Sequence, residues 1–156
     1  MILYQRDNLP TGGRIKLLIY TDAGSRGNPG PSAYAVILCS EDGKRIRELA
    51  RFIGEGTNNE AEYRGLLAGL EAAEALGAAE VEITSDSELL VRQINGQYRI
   101  KAQNLRPLAD EALSRMSRFE KAALRHAPRE HPMIQRADLL VNQELDAMEL
   151  ARKLRK

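Results

Sequence analysis

The chain has 156 residues, 43% hydrophobic and 29% charged, a balance that suits one soluble domain with one sizeable core. Its 23 basic and 22 acidic side chains leave a net charge of +1, so any polyanion must be met by local patches or through metal. No apolar stretch is long enough to span a membrane, the first residues lack a secretory pattern, and the one cysteine, Cys39, excludes an intrachain disulfide and a cysteine-rich metal cage. A reducing cytoplasm is the expected compartment.

In chain order, residues 1–13 read as an irregular arm broken by Pro10 and Gly12-Gly13, and 14–156 as a single domain. Arg14 to Thr21 predicts a strand, apolar on both faces at Leu17-Leu18-Ile19 and so central in a sheet. Asp22 to Pro31, with three glycines and two prolines, predicts a turn. Ser32 to Cys39 and Arg45 to Ile53 predict two further strands around a hairpin at Glu41-Asp42-Gly43-Lys44. A helix follows to about Gly77, with Asn58 or Asn59 as its cap. Next come a strand at Val81 to Ser85 and a short helix from Ser87 to about Asn95. The segment 97–103 is polar and basic, and a helix from Leu105 to Arg118 places Leu105, Leu108, Ala112, Leu113 and Met116 near one face. Lys121 to His126 is the last expected strand. A terminal helix from Met133 to Arg155 carries Ile134, Ala137, Val141, Leu145 and Met148 at helical spacing. The order gives an α/β fold: a five-stranded mixed sheet, an antiparallel meander plus parallel strands, with helices on both faces.

Four acids stand where this pattern wants apolar residues. Asp22 and Asp86 each end an apolar run, so both lie at the carboxyl ends of parallel strands, where ligands of open α/β sheets bind. Glu62 shares a helix face with Leu66 and Leu70 and points at the sheet; Gly65 and Gly69, one step away, would let that helix come close. Asp138 lies beside Ala137 and Val141, so it too is expected to face the sheet. Each acid has an ordinary reading: a turn residue for Asp22, dipole complementation for Glu62, a helix cap for Asp86-Ser87 and surface charge for Asp138. Their joint placement carries the stronger one. Like charges this close need a counter-ion, and all-oxygen ligands select Mg²⁺ or Mn²⁺ over zinc.

Tyr20-Thr21-Asp22-Ala23-Gly24-Ser25-Arg26-Gly27-Asn28-Pro29-Gly30 resembles the first motif of type 1 ribonucleases H. Thr57-Asn58-Asn59-Glu60-Ala61-Glu62-Tyr63, Thr84-Ser85-Asp86-Ser87 and Arg136-Ala137-Asp138-Leu139-Leu140-Val141-Asn142 resemble the next three, in the family's order. The resemblance implies the ribonuclease H-like fold and an endonuclease that cleaves the RNA strand of an RNA·DNA hybrid, leaving a 5′-phosphate. It implies two Mg²⁺ or Mn²⁺ ions, with Asp22 bridging both, Glu62 and Asp86 on one and Asp138 completing the other. It assigns Asn28, Asn58 and Asn59 to the hybrid's minor groove, where 2′-hydroxyls are displayed, and Thr57 to a DNA-strand phosphate. A monomer without organic cofactor is expected.

Where many members carry a histidine, ten residues before the last aspartate, this chain has Pro128, flanked by His126 and His131. The segment 126–131 looks like a subgroup with a Pro-Arg-Glu loop, in which Arg129 is an auxiliary candidate for touching a phosphate or aiding product release. The segment 97–103 is too short for the basic protrusion of some members, so weak binding and distributive cleavage are expected. Other readings fit less well. A sugar-kinase or actin-like ATPase needs a second such domain, and no Gly-x-x-x-x-Gly-Lys-Ser/Thr loop is present. Transposases need added DNA-binding segments. An inactive nucleic-acid-binding module would not need all four acids. Double-stranded RNA, also near A-form, stays open as a second substrate.

Overall fold

The computed structural model describes residues 2–4 and 13–155. Its elements are β1 (Ile2–Tyr4), β2 (Lys16–Ser25), β3 (Gly30–Ser40), β4 (Arg45–Gly56), α1 (Asn58–Ala75), β5 (Glu80–Ser85), α2 (Glu88–Ile94), α3 (Arg106–Met116), β6 (Lys121–His126) and α4 (Pro132–Leu154). The five expected strands, β2 to β6, build one mixed sheet. β2, β3 and β4 form an antiparallel meander, while β5 lies parallel to both β2 and β6. One correction concerns the arm. Ile2–Tyr4 pairs antiparallel with β4, Leu3 opposite Glu48, and adds a short sixth strand at the edge. Three apolar residues alone carry too little periodicity to mark a strand; the free edge of β4 supplies the pairing. The rest of the expected arm, residues 1 and 5–12, lies outside the described residues.

The alternation of β3 explains the layering. Tyr34, Val36 and Leu38 face one way, into a cluster with Leu17, Ile19, Leu66, Leu70 and Ile83 beneath α1, α2 and α3. Ala33, Ala35, Ile37 and Cys39 face the other way and pack on Ala137, Val141 and Leu145 of α4. Period-2 side chains on a central strand thus serve two helical layers at once. The expected close approach of α1 is present. A Cβ on Gly69 would stand 3.0 Å from Ile19 Cγ2, and one on Gly65 would stand 3.2 Å from the Tyr34 Cβ.

Several boundaries shift. Asp22 does not end its strand: β2 runs on to Ser25, pairing with β3 as far as Ser25 opposite Ser32. The turn shrinks to 26–29, and Gly24 passes beneath α4, where a Cβ would stand 3.7 Å from Val141 Cγ1. On its other side β2 pairs with β5 only to Thr21 opposite Ser85, so Asp22 is the first residue past the parallel ladder. The cap of α1 is Thr57, neither Asn58 nor Asn59. Its hydroxyl accepts from the Glu60 N–H at 3.1 Å and donates to Glu60 Oε1 at 3.3 Å. In α3, Leu113 is 44% exposed, whereas Leu105, Ala109 and Ala112 are buried; the buried face steps by four and three residues and passes Leu113 by. Among the described residues no helix is long and apolar enough to cross a membrane.

One buried charge ties α4 to the sheet. Glu48, on β4, is 5% exposed. Arg136 donates to both of its oxygens, at 2.8 and 2.9 Å, and Arg45 adds a third bond at 3.1 Å. These guanidiniums, Arg136 first, hold the Glu48 carboxyl below the usual carboxylate range.

Candidate active site

Three of the four acids converge. Asp22, Glu62 and Asp86 each offer a carboxylate oxygen, and all three oxygens lie within 4.8 Å of one another. Three elements bring them there: Asp22 from β2 just past its parallel pairing, Asp86 from the end of β5, and Glu62 from the first turns of α1. The glycines at 65 and 69 let α1 sit low enough on the sheet for Glu62 to reach the strand ends.

The electrostatics follow from that crowding. Asp22 is 6% exposed. Burial, with Asp86 and then Asp138 adding repulsion, pushes its pKa from 3.8 up to about 8, against a bond from the Ala23 N–H that favours the anion. Glu62 is raised well above its ordinary value, first by burial and then by Asp22 and Asp86; bonds from the Ser87 hydroxyl and the Ala23 N–H oppose this. A protein that needed these groups only for packing would fare better with apolar ones.

Asp138 requires a correction. It is exposed, not turned toward the sheet. On α4 the buried positions are Ile134, Ala137, Val141 and Leu145; one residue past Ala137 is rotated by about 100° from that stripe. Asp138 nevertheless lines the same pocket as the other three, on the wall opposite α1. This pocket, of about 410 Å³, is also lined by Ser25, Asn58, Asn59, Ser87 and Arg129.

The remaining candidates divide. Asn58 and Asn59 are exposed on the pocket wall. Asn28 lies outside the pocket lining but braces it, its Oδ1 accepting from the Asn58 N–H at 3.1 Å. Thr57 spends its hydroxyl on the N–H and the carboxylate of Glu60. The Arg129 side chain is 85% exposed, with Nε 3.9 Å from Asp86. Neither histidine lines the pocket. His131 caps α4, its Nδ1 accepting from the Met133 N–H at 3.1 Å, and its ring lies 5.3 Å from that of Tyr20. His126 is exposed at the end of β6. Sequence reasoning took Ser87 only as a helix cap. Its hydroxyl does accept from the Leu90 N–H, at 3.2 Å, but the residue also lines the pocket and favours the Glu62 anion. Its adjacency to Asp86 was the available signal.

A reverse-transcriptase-like family model matches residues 20–144, which spans all four acids. A ribonuclease H of Chlorobium phaeovibrioides is 34% identical over 143 residues, covering 88% of this chain and 93% of that protein. The chain belongs to the ribonuclease H family. Ribonuclease HI of Halobacterium salinarum is 39% identical over 135 residues, and the crystal structure of ribonuclease H1 from that archaeon superposes with a TM-score of 0.81 over 85% of this chain and 98% of that one. The bifunctional protein Rv2228c of Mycobacterium tuberculosis is 40% identical over 134 residues, but the chain spans only 36% of its length. The structure of its N-terminal ribonuclease H domain, solved as a fusion with maltose-binding protein, gives a TM-score of 0.83 over 88% of this chain and 99% of that one. Another ribonuclease H1, LC11, was solved in complex with an RNA/DNA hybrid; it is 38% identical, with a TM-score of 0.79 over 85% of this chain and 98% of that one. Its cluster of Asp22, Glu62 and Asp86 is a set of oxygen donors that could hold a divalent cation.

Proposed function

We propose that this protein is a metal-dependent endoribonuclease that hydrolyses the RNA strand of RNA·DNA hybrids by a two-metal mechanism. The observation that carries the reading is the meeting of the Asp22, Glu62 and Asp86 carboxylates within 4.8 Å at a pocket walled by Asn58 and Asn59. Three hard oxygen donors, of which Asp22 and Glu62 have pKa values raised by burial and then by the neighbouring carboxylates, fit Mg²⁺ or Mn²⁺. Asp22 would be shared by two ions, with Glu62 and Asp86 holding one and Asp138 the other. Such a pair makes water acidic enough to attack a phosphodiester and offsets charge on the leaving oxygen.

The chain's own residues do the rest. Asn58 and Asn59, short and uncharged, hydrogen-bond 2′-hydroxyls in the shallow minor groove, so the strand lying over the acids must be RNA. Asn28 holds the Asn58 backbone in place, and its amide nitrogen remains to donate to the hybrid. Thr57 meets a DNA-strand phosphate by turning its hydroxyl away from Glu60. Ser87, on the same pocket wall, favours the Glu62 anion. Arg129 belongs to the Pro-Arg-Glu loop of the chain's subgroup. Before substrate arrives it offsets part of the Asp86 charge, and it then turns to a phosphate of the bound strand or the departing product.

End-labelled RNA·DNA, RNA·RNA and DNA·DNA duplexes, with and without Mg²⁺ or Mn²⁺ and with Asp22→Asn alongside, test this. Metal-dependent cutting of the RNA in the hybrid, lost in the variant, is expected, and the RNA·RNA lane sets the range of substrates. Binding without cutting of any duplex would overturn the reading.

A further inference from the structure

The loop between β2 and β3 is fastened on two sides. Toward α1, Asn28 accepts from the Asn58 N–H, and the Ser25 hydroxyl bonds the carbonyl oxygens of Gly27 and Gly56. The loop closes on itself through the Arg26 N–H to the Pro31 carbonyl at 2.8 Å. Toward α4 the Arg26 side chain makes the connection. Arg26 donates through Nη1 to Glu149 at 2.7 Å, lies 2.7 Å through Nη2 from Asp146, and reaches both the carbonyl oxygen and Oδ1 of Asn142 at 3.4 Å. Asn142 in turn donates from Nδ2 to the Asp138 carbonyl at 3.0 Å. A continuous polar path therefore runs from the loop four residues past Asp22, through Arg26 and Asn142, to the backbone of Asp138.

We propose that Arg26, acting through Asn142, is a positioning residue that sets Asp138 against Asp22 across the mouth of the site. Asp138 is the acid that most needs such help. The other three grow from the sheet or from a helix packed low upon it, whereas Asp138 is exposed on a helix edge outside the 4.8 Å cluster. The Glu48–Arg136 bond fixes the sheet side of α4. Arg26 holds the side that carries Asp138, and a planar guanidinium spreads its donors over three residues on successive turns, a reach the compact ammonium of a lysine lacks. Hybrid contacts on the α1 side keep their own anchors when Arg26 is lost, so its removal acts on turnover and on the cation site Asp138 completes, and spares substrate binding.

The proposal rests on the metal-dependent reading above, and the experiment separates the two. Arg26→Ala, Arg26→Lys and Asn142→Ala are compared with the unaltered protein in hybrid cleavage, for kcat and KM, and in calorimetric titration of the metal-free protein with Mn²⁺. For Arg26→Ala and Asn142→Ala, kcat should fall ~10-fold with KM for the hybrid unchanged, and the weaker Mn²⁺ binding step should shift to ~10-fold higher concentration. Arg26→Lys should recover part of both. Unchanged kcat and Mn²⁺ binding in both alanine variants would overturn the brace, as would a rise in KM at constant kcat. An unaltered protein that takes up no Mn²⁺ would overturn the underlying reading instead. Asn142→Ala leaves the loop's own bonds in place and decides the matter if Arg26→Ala fails to fold.

Discussion

Asp22 and Asp138 line one pocket and are built in opposite ways. Asp22 is 6% exposed, on a central strand paired on both sides up to the residue before it, and burial, with its acidic neighbours, pushes its pKa up to about 8. Asp138 is exposed, on a helix that touches the sheet through other residues, and is held from behind by a polar path. A carboxylate on the sheet is placed by the same contacts that make the fold, but at an electrostatic cost that a proton or a metal cation must offset. One on a helix edge carries little such cost, and its position depends on side chains that do nothing else. The first should be indispensable to turnover and adverse to stability; the second should be adjustable.

The contrast breaks most directly by substitution. Asp22→Asn should lower hybrid cleavage by at least ~10³-fold while far-ultraviolet circular dichroism stays native, because it removes the group both ions would share. An equal loss on Asp138→Asn would erase the distinction; a smaller loss, ~10–100-fold, is expected. The Glu48 bond sharpens it from the other side of α4. Arg136→Ala leaves a buried carboxylate without its bidentate partner, and chemical denaturation should show about 3 kcal/mol less stability. Gly69→Ala drives a methyl against Ile19 and should cost ~1–3 kcal/mol on the same assay, with some loss of activity as α1 and Glu62 lift from the sheet.

These effects also show what the chain made readable in advance. The order of elements, the meander and the parallel placement of β5 beside β2 follow from period-2 and period-3.6 patterning. The glycine step of α1 was legible because only a close helix needs Gly65 and Gly69 one turn apart on the buried side. The convergence of Asp22, Glu62 and Asp86 was legible because strand ends and an inward helix face fix where they point. Less could be read where neighbouring residues compete for one task. Thr57, Asn58 and Asn59 can all cap, and only the reach of Glu60 back to Thr57 decides. Asp138 was placed on the wrong side because a residue next to a buried stripe lies at its margin, and the tilt of α4 determines which way the margin faces. The path from Arg26 to Asn142 spans 116 positions and has no local signature.

The acidic cluster is held together against its own charge, as a divalent-cation site would require. Asp22, and with it Glu62, has a folded-state pKa above its unfolded value, so between about 4 and about 8 the folded protein holds more protons than the unfolded chain. Its contribution therefore favours folding at low pH and is lost as pH rises through that window. The measurement is thermal unfolding at pH 6 and pH 9 in chelator, and again at pH 9 with Mn²⁺, for the unaltered protein and Asp22→Asn. The account predicts a Tm that falls from pH 6 to pH 9 in chelator and recovers with Mn²⁺, with both responses reduced in the variant. Equal responses in the two proteins, or none in either, would contradict it.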